Sequence, residues 1–350
     1  MNERFRSYVP RTEGSPSSPG DIASLHHLIN GFKISRMLGL VADLGIADRI
    51  PVDQAMSAKW LALESGVLAD PLLRVCRALA SVGIFTVQAD NMIGHSRLSA
   101  LLRTDSNPSL HHAARLFMAR TEWGAWGALD QALQGVTPFE ALWGASRFDY
   151  LKAHAEEGRV FDAVMANSPD DRLAAVAIAY DFSAVSLIVD VGGGNGALLH
   201  AILTQHPKLR GLVFDREDVV SAIPAEAKLG NRIEVRAGDF FEGAPPAADM
   251  YLLSSILHDW ADEQCLRILG NCRRAMQLGA QLLVIERMLE PDPTKGLPLS
   301  YLSDIQMMVD HGGRERTFPE FRALLASSGF GSARQIRTAS SVCIIESTAI

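Results

Sequence analysis

The stretch from Leu187 to Gly196, Leu-Ile-Val-Asp-Val-Gly-Gly-Gly-Asn-Gly, constrains the fold of this chain more than any other feature. Its apolar, β-branched first half predicts a strand, and the segment after the glycines predicts a helix. Strand, tight glycine turn and helix N-terminus form the opening unit of a doubly wound α/β sheet. Glycine permits the sharp turn and lets the backbone approach a ligand, because no Cβ intervenes.

The spacing of these glycines is compatible with more than one ligand. Gly192, Gly194 and Ala197 satisfy the G-x-G-x-x-G/A pattern of dinucleotide-binding turns. Gly192, Gly194 and Gly196 also form G-x-G-x-G, which suits S-adenosylmethionine. A glycine-rich turn without a ligand is the remaining interpretation, so this motif alone does not establish a function.

Length and charge exclude several classes of protein. With 350 residues the chain is long enough for two domains. A net charge of -7 argues against binding to nucleic acid or to an anionic membrane, and an aromatic content of 7% argues against stacking on single strands. We find neither an apolar run of transmembrane length nor a signal peptide, so we expect a cytoplasmic protein.

The cysteines support the same compartment. They are scattered among apolar residues, which is typical of reduced, buried thiols; they are Cys76, Cys265, Cys272 and Cys343. Cys265 and Cys272 lie two turns apart on one predicted helix but lack the clustered partners of a zinc site.

Composition and periodicity divide the chain into four segments. Residues 1–20 contain a Ser-, Pro- and Gly-rich run and are predicted to be disordered. Residues 21–107 are predicted to form helices, followed by a small hairpin of Ile84–Val87 and Met92–His95, a winged-helix-like order. Residues 108–182 are predicted to be helical, and residues 183–350 alternate between strands and helices.

The segment 21–107 raises the question of DNA binding. Its helices are not unusually basic, which disfavours that function. Apolar residues lie on more than one face of the helices between Asp21 and Ile50. Packing against a second subunit explains this pattern better.

Aromatic residues in segment 108–182 have two interpretations. Trp123, Trp126 and Leu129 have the spacing of one helix face, which favours a core position. A second set could either line a pocket or fill a core, and the sequence leaves both open; it comprises Trp143, Phe148, Phe161 and Met165.

The segment from 183 onward is predicted to form a parallel sheet with right-handed crossovers. Its five strands are placed at Leu187–Val191, Arg210–Phe214, Arg232–Arg236, Asp249–Leu253 and Gln281–Glu286. Two further strands are expected in the tail, at Gly331–Arg337 and Ser341–Glu346.

Polar residues follow several of these strands, at the edge where doubly wound sheets bind ligands. Asp215 ends the second strand and is placed to accept hydrogen bonds from ribose hydroxyls. Asp239 follows the third strand beside Phe240 and Phe241, which suits an adenine. Each carboxylate alone could be a loop or cap residue, but their convergence on one crevice favours a nucleoside site.

His258 follows the fourth strand and Glu286 ends the fifth. In the strand order 3-2-1-4-5 the fourth and fifth strands are neighbours, so Glu286 should lie beside His258. A carboxylate next to an imidazole orients the ring and stabilises the imidazolium that forms on proton uptake. The pair therefore predicts a general base.

Four motifs together resemble a known family. They are Ile188-Val-Asp-Val-Gly-Gly-Gly-Asn-Gly, Gly238-Asp-Phe-Phe, Ile256-Leu-His-Asp-Trp-Ala-Asp-Glu and Gly312-Gly-Arg-Glu-Arg-Thr. The chain resembles the S-adenosylmethionine-dependent O-methyltransferases of the caffeate/hydroxyindole type from about Leu25 to Ile345. This resemblance implies a class I methyltransferase fold, a Rossmann-like doubly wound sheet preceded by a mostly helical, winged-helix-like dimerisation domain. Bacterial members act in natural-product and antibiotic biosynthesis.

The resemblance also implies roles for individual residues. The catalytic set would be the base His258 flanked by Glu286 and Glu315. The cofactor would be held by Gly192 and Gly194 at its methionine end, Asp215 at the ribose, and Asp239 and Phe240 at the adenine. The residues facing the acceptor would be Phe161, Met165, Met307 and His311.

One position departs from the family pattern. Plant members carry a lysine four residues before the catalytic histidine, where this chain has Ser254. Because bacterial members vary there, the difference weakens one cofactor contact rather than the assignment.

The resemblance thus implies a homodimer that methylates a hydroxyl, most simply a phenolic one, of a small aromatic acceptor. No metal is expected, since no set of acidic residues has magnesium-site spacing. The alternatives on the same fold are N- or C-methylation or another S-adenosylmethionine-dependent reaction. An NAD-dependent oxidoreductase and a DNA-binding regulator are the remaining alternatives. The sequence does not identify the acceptor.

Overall fold

The structure is a computed structural model that describes residues 18–166 and 172–350. It divides into two compact units, Met1–Ala119 and Arg120–Ile350. Most of the predicted disordered tail, residues 1–17, lies outside the described residues.

The first helix, α1 (Pro19–Asp43), begins at a capping box. The Ser18 hydroxyl accepts a hydrogen bond from the Asp21 N–H, and the Asp21 carboxylate accepts one from the Ser18 N–H. Proline at the first helical position has no N–H to leave unpaired. Pro19 and Gly20 therefore belong to the helix, and our prediction that the disordered tail reaches residue 20 is wrong at these two positions.

The rest of the first unit combines short helices with a small antiparallel sheet. The helices are α2 (Ala58–Glu64), α3 (Ala69–Ser81), α4 (Arg97–Ala100) and α5 (His111–Phe117). The sheet has the order β1-β3-β2, with β1 at Ala55–Ser57, β2 at Thr86–Val87 and β3 at Met92–Gly94. The predicted hairpin is β2–β3; β1 was missed because three residues give no alternating pattern. The winged-helix-like arrangement stays a prediction.

Two sets of apolar residues distinguish this unit. One forms its core and is fully buried: Ile46, Leu61, Cys76, Leu79 and Ile93. The other lies on α1, and each member is more than half exposed: Ile22, Leu25, Leu28, Ile29 and Phe32. The exposed set matches the apolar pattern that predicted a second subunit.

The second unit begins with helices, as predicted. They are α6 (Arg120–Gly127), α7 (Leu129–Ala132), α8 (Pro138–Trp143), α9 (Arg147–Ala153), α10 (Ala155–Ala166) and α11 (Arg172–Ala179). The prediction that Trp123, Trp126 and Leu129 share one helix face is wrong, because α6 ends at Gly127 and Leu129 begins α7. Trp123 is 39% exposed, whereas Trp126 is half-buried and donates a hydrogen bond to Gln306.

A mixed sheet forms the centre of the second unit, with the strand order β10-β11-β8-β7-β4-β5-β6. Its strands are β4 (Leu187–Val191), β5 (Arg210–Asp215), β6 (Ile233–Ala237), β7 (Met250–Ser254), β8 (Gln281–Leu289), β10 (Arg334–Arg337) and β11 (Val342–Thr348); β9 (Arg316–Thr317) pairs with β8 outside this path. The five parallel strands from β4 to β8 confirm the predicted order 3-2-1-4-5. The two tail strands are antiparallel. Since β8 continues to Leu289, our prediction that Glu286 ends its strand is wrong.

Helices cover both faces of this sheet. On one face lie α11, α12 (Ala197–Gln205) and α13 (Glu217–Val220), and on the other lie α14 (Asp262–Ala275) and α16 (Phe318–Ser327). Helix α15 (Pro298–Asp310) contributes Val309 to a smaller cluster with α6 and α8. Successive strand residues point to opposite faces. Leu252 therefore enters one core and Leu253 the other, and both are fully buried. Within the described residues, no helix has the length and hydropathy to cross a membrane.

The thiols behave as predicted. Cys76, Cys265 and Cys272 are buried and Cys343 is half-buried, and all of them are free. Burial raises the pKa of the Cys265 thiol to about 11, so it is protonated at neutral pH.

Candidate active site

The glycine turn follows β4 at the edge where the parallel strands end. Gly192, Gly194 and Gly196 have φ angles of 70°, 57° and 78°, a region that side chains with a Cβ rarely adopt. A Cβ on Gly192 would lie 2.4 Å from Ile256 Cδ1, and one on Gly193 would lie 2.8 Å from the Asp190 carboxylate. The turn therefore requires glycine for its geometry and for its packing.

Asp190 is a buried carboxylate beneath this turn. It is 1% exposed, and its Oδ1 atom has no hydrogen-bond partner. Burial, and then the neighbouring charge of Asp215, raise the pKa of Asp190 to about 7. An unpaired buried acceptor of this kind is costly unless a ligand uses it. We assigned it no role from the sequence, although its place before the glycines was a usable signal.

Asp215 ends β5 next to the glycine turn. Its Oδ2 atom accepts a hydrogen bond from the Gly194 N–H at 2.9 Å, and Oδ1 accepts one from the Arg216 N–H at 2.7 Å. Burial raises the pKa of Asp215, and the two N–H donors oppose that shift. Each oxygen keeps a second lone pair for a ligand hydroxyl.

Asp239 and Phe240 follow β6 and approach the same turn. Asp239 Oδ1 accepts a hydrogen bond from the Phe241 N–H at 2.7 Å. A Cβ built on Gly192 would lie 3.4 Å from Phe240 Cε1, so this ring borders the glycines. A groove of about 410 Å³ lies beside Asp239. It is lined by Phe214, Arg236, Ala237, Gly238, Asp239, Glu242, Gly243, Ala244 and Pro246, and so does not include the glycines of the turn.

Ser254 ends β7, paired with Ile285 of β8, and so lies at the same edge of the sheet. The structure thus brings the predicted cofactor residues to one edge. Glycine N–H groups, two acidic strand ends and an aromatic ring fit a nucleoside-bearing cofactor.

His258 lies in a 3-10 turn, Leu257–Asp259, that follows β7. Its Nδ1 atom is 3.3 Å from Glu315 Oε1 and 3.7 Å from Glu286 Oε2, while Nε2 is 3.5 Å from Asp259 Oδ1. The imidazole is 19% exposed, and the two glutamates are almost fully buried. The prediction that Glu286 lies beside His258 is confirmed.

Both glutamates are held in place by further contacts. Glu286 Oε1 accepts hydrogen bonds from the Ile256 and Leu257 N–H groups at 3.0 and 2.8 Å. Glu315 Oε1 accepts one from the Ser303 hydroxyl at 2.7 Å. Their second oxygens lack hydrogen-bond partners and are buried, so the neighbouring imidazole faces two oriented, desolvated carboxylates.

This environment favours a charged imidazole. Burial lowers the pKa of His258, but the carboxylates of Glu286, Asp259 and Glu315 outweigh burial and raise it to about 10. Burial in turn raises the pKa of Glu286 to about 7, against the effect of His258. The cluster therefore binds a proton tightly at the ring.

The same cluster has the spacing of a cation site. Candidate ligand atoms of His258, Glu286 and Glu315 all lie within 4.8 Å of one another. Our expectation that catalysis uses no metal stays a prediction.

Aromatic residues connect this cluster to α10 and α15. His311 Nε2 lies 3.7 Å from Asp259 Oδ1, and the His311 ring packs on Phe148 with centroids 5.0 Å apart. Phe148 meets Phe161 edge to face at 6.3 Å. The structure thus places Phe161 and His311 in one aromatic group beside the turn of His258.

The other two predicted acceptor residues lie on the same helices. Met307 is half-buried on α15, and its carbonyl accepts hydrogen bonds from His311 and Gly313. Met165 is 42% exposed on α10. Among the aromatic residues left open, Trp143 is 38% exposed and donates to the Thr121 carbonyl.

Comparison with known proteins shows the family of this chain. An O-methyltransferase domain matches residues 126–331, and an O-methyltransferase dimerisation domain matches residues 26–105. The chain is 38% identical to the phenazine O-methyltransferase PhzM of Lysobacter antibioticus, covering 93% of this chain and 96% of the relative. It is 36% identical to 3-amino-4-hydroxybenzoate 4-O-methyltransferase of Streptomyces cremeus, covering 91% and 87%.

A solved structure shows the same likeness. Human N-acetylserotonin methyltransferase in complex with S-adenosylmethionine has a TM-score of 0.82 and 27% identity, covering 96% of this chain and 99% of that one. The chain therefore belongs to the family of S-adenosylmethionine-dependent O-methyltransferases, as its motifs predicted.

Proposed function

We propose that this enzyme methylates a phenolic hydroxyl of a small aromatic acceptor in natural-product biosynthesis, with His258 as general base. The observation that carries the proposal is the His258 imidazole held against two buried carboxylates beside the glycine turn. Relatives named for a phenazine and an aminohydroxybenzoate support an aromatic acceptor. The family match disfavours the oxidoreductase and the DNA-binding regulator.

The chemistry requires deprotonation of the acceptor. When bound, S-adenosylmethionine supplies an electrophilic methyl group. A phenol has a pKa of about 10, so little phenolate exists at neutral pH. The resting imidazolium first releases its Nε2 proton to solvent. With Nδ1–H directed at Glu315, His258 then takes the phenolic proton on Nε2, and the carboxylates stabilise the imidazolium that forms again. Base assistance contributes about 10²–10⁴-fold, and alignment of the reactants contributes further.

The residues at the glycine edge would hold the cofactor. Gly192 and Gly194 let the backbone approach its methionine end, and the unpaired Asp190 oxygen adds an acceptor there. Asp215 would bind the ribose hydroxyls, and Asp239 with Phe240 the adenine. Ser254 would contribute a weaker contact than the lysine of plant relatives.

Replacing Asp215 by alanine should weaken cofactor binding about tenfold or more, since charge-assisted hydrogen bonds contribute about 1.5–3 kcal/mol each. Titration calorimetry with S-adenosylmethionine measures the change. Asp218→Ala is the matched control, because Asp218 lies three residues away and pairs with Arg216. Equal affinities of Asp215→Ala and the wild type would remove Asp215 from the ribose site.

The acceptor class is tested with labelled cofactor and matched pairs of compounds. We expect transfer to phenols and catechols and little transfer to the corresponding anilines, because the His258 cluster serves to remove a hydroxyl proton. Faster transfer to the aniline member of each pair would instead support N-methylation. Phe161, Met165, Met307 and His311 are the residues we expect to face the acceptor.

We also propose a homodimer through the N-terminal helices. The exposed apolar residues of α1 and the dimerisation-domain match support it. Light scattering at micromolar concentration should give twice the chain mass. Leu28→Glu with Ile29→Glu should shift the protein toward monomer, whereas Leu133→Glu, at an 80% exposed leucine of the second unit, should not. A wild-type monomer would contradict the proposal.

Deleting the N-terminal residues through Ile50 should give insoluble protein, because this deletion removes the helix proposed to form the interface.

A further inference from the structure

Arg316 is an arginine at the first position of β9 whose side chain is 1% exposed. Its Nη1 donates to the Leu257 carbonyl at 2.7 Å and to the Arg314 carbonyl at 3.3 Å. Its Nη2 donates to the Trp260 carbonyl at 2.8 Å, and both Nε and Nη2 donate to Asp262 Oδ1 at 3.0 and 2.7 Å. A guanidinium has five N–H donors, and each has an acceptor here.

These contacts lie at both ends of the turn Leu257–Asp259, which carries His258. The carbonyls of Leu257 and Trp260 lie on either side of His258 and Asp259, so one planar group fixes both ends of the turn. The Arg316 backbone pairs with Met288 of β8, the strand that carries Glu286. Arg316 therefore joins the strand of Glu286 to the turn of His258.

The backbone before Arg316 packs on the same turn. The Arg314 N–H donates to the His258 carbonyl at 2.9 Å, and a Cβ on Gly313 would lie 2.2 Å from that oxygen. Glu315, between Arg314 and Arg316, reaches the His258 ring. The Gly-Gly-Arg-Glu-Arg-Thr motif thus supplies one carboxylate to the imidazole of His258. The same motif also fixes the backbone of His258.

We propose that Arg316 is a positioning residue of methyl transfer, which keeps His258 between Glu286 and Glu315 by holding the carbonyls of its turn. This inference rests on the proposed role of His258. Lysine cannot replace the arginine fully, because an ammonium lacks the planar fork that reaches three carbonyls and a carboxylate together.

Arg316→Ala should lower kcat roughly 100-fold, the size of effect expected when a catalytic group moves by about 1 Å. The Kd for S-adenosylmethionine should stay within about twofold of wild type, since Arg316 acts on His258 and not on the glycine turn. Low-millimolar guanidinium should restore part of the lost kcat, whereas equal urea should not. Arg322→Ala, at an exposed arginine on α16, is the matched control and should keep wild-type kcat.

The deciding measurement is a double-mutant cycle with His258→Ala. If Arg316 acts through His258, Arg316→Ala should cost less than about threefold in kcat once His258 is absent. An equal cost in both backgrounds would overturn the positioning role while leaving His258 as base. No loss from His258→Ala alone would overturn the proposed function instead. If circular dichroism shows that Arg316→Ala does not fold, the same cycle with Arg316→Lys decides.

Discussion

Replacing His258 by glutamine should lower kcat for a phenolic acceptor by roughly 10²–10⁴-fold at neutral pH, the usual contribution of a general base. Glutamine keeps a polar side chain but takes up no proton, so only phenolate formed in solution would react. Steady-state transfer from labelled cofactor measures the loss. The Kd for S-adenosylmethionine, from calorimetry, should change little, because the predicted cofactor residues lie at the glycine turn.

The pH dependence has a defined sign. Since the surrounding carboxylates raise the pKa of His258 to about 10, the resting imidazole is protonated at pH 7. Enzyme and acceptor must then lose one proton before transfer, so wild-type kcat/KM should rise with pH from neutrality toward the lower of the two pKa values. The deficit of His258→Gln should narrow only above the pKa of His258, where the wild-type rate levels off while solvent still supplies more phenolate to the variant.

Glu286→Gln separates the orienting role of the carboxylate from its charge. The amide oxygen still accepts the Ile256 and Leu257 N–H groups, but the negative charge beside the ring is lost. We expect a smaller loss of kcat than for His258→Gln. Because the pKa of His258 falls, the pH-dependent increase in rate should level off at a lower pH than in the wild type. Wild-type turnover by His258→Gln near neutral pH would show that proximity alone drives the reaction.

The strand order could be predicted because each apolar run ends at a recognisable polar or glycine residue. That order alone placed Glu286 beside His258. Glu315 was found only through its motif, since β9 has two residues and gives no strand pattern. The sequence also did not show that Asp215 accepts the Gly194 N–H, because that contact joins the end of β5 to the loop after β4.

Nothing in the sequence indicated that some charged side chains are buried. An arginine in a sequence is expected to be exposed, because burying an unpaired charge is costly. Arg316 and Arg147 are 1% and 3% exposed, and the acceptors that permit this lie far away in the chain. Asp262 is 54 positions from Arg316, so spacing alone does not pair them.

Arg147 lies in a buried network next to Phe161, one of the residues predicted to face the methyl acceptor. Its guanidinium pairs with Glu122, and its Nε atom lies 3.8 Å from Asp310 Oδ2. Gln306 donates to Glu122 at 2.8 Å and to Asp310 at 2.6 Å. All three charged side chains are at most 5% exposed, so one cation offsets two desolvated carboxylates.

Arg147→Met should therefore destabilise the protein by about 3–5 kcal/mol, the usual cost of removing one partner from a buried ion pair. Urea unfolding at fixed protein concentration measures the change. Glu122→Gln is the matched variant: it removes the repulsion with Asp310 and keeps an oxygen in place of the carboxylate. Its cost should stay below about 1.5 kcal/mol, the net value of one hydrogen bond. A larger loss of unfolding free energy for Glu122→Gln than for Arg147→Met would contradict the interpretation that Arg147 offsets the charges of Glu122 and Asp310.

The pH dependence of the destabilisation by Arg147→Met identifies its cause. Burial, and then the charge of Asp310, raise the pKa of Glu122 to about 7 from its ordinary 4.5, even with Arg147 present. The folded state therefore binds the Glu122 proton more tightly than the unfolded state does, and this binding stabilises the fold. Its contribution to the free energy of unfolding is complete below about pH 4.5 and is lost as the pH rises through about 7. Without Arg147 the two carboxylates repel more strongly, so the pKa rises further. The destabilisation by Arg147→Met should thus be smaller at mildly acidic pH than at pH 8, and a cost independent of pH would assign it to lost packing on Phe139 and Phe161 instead.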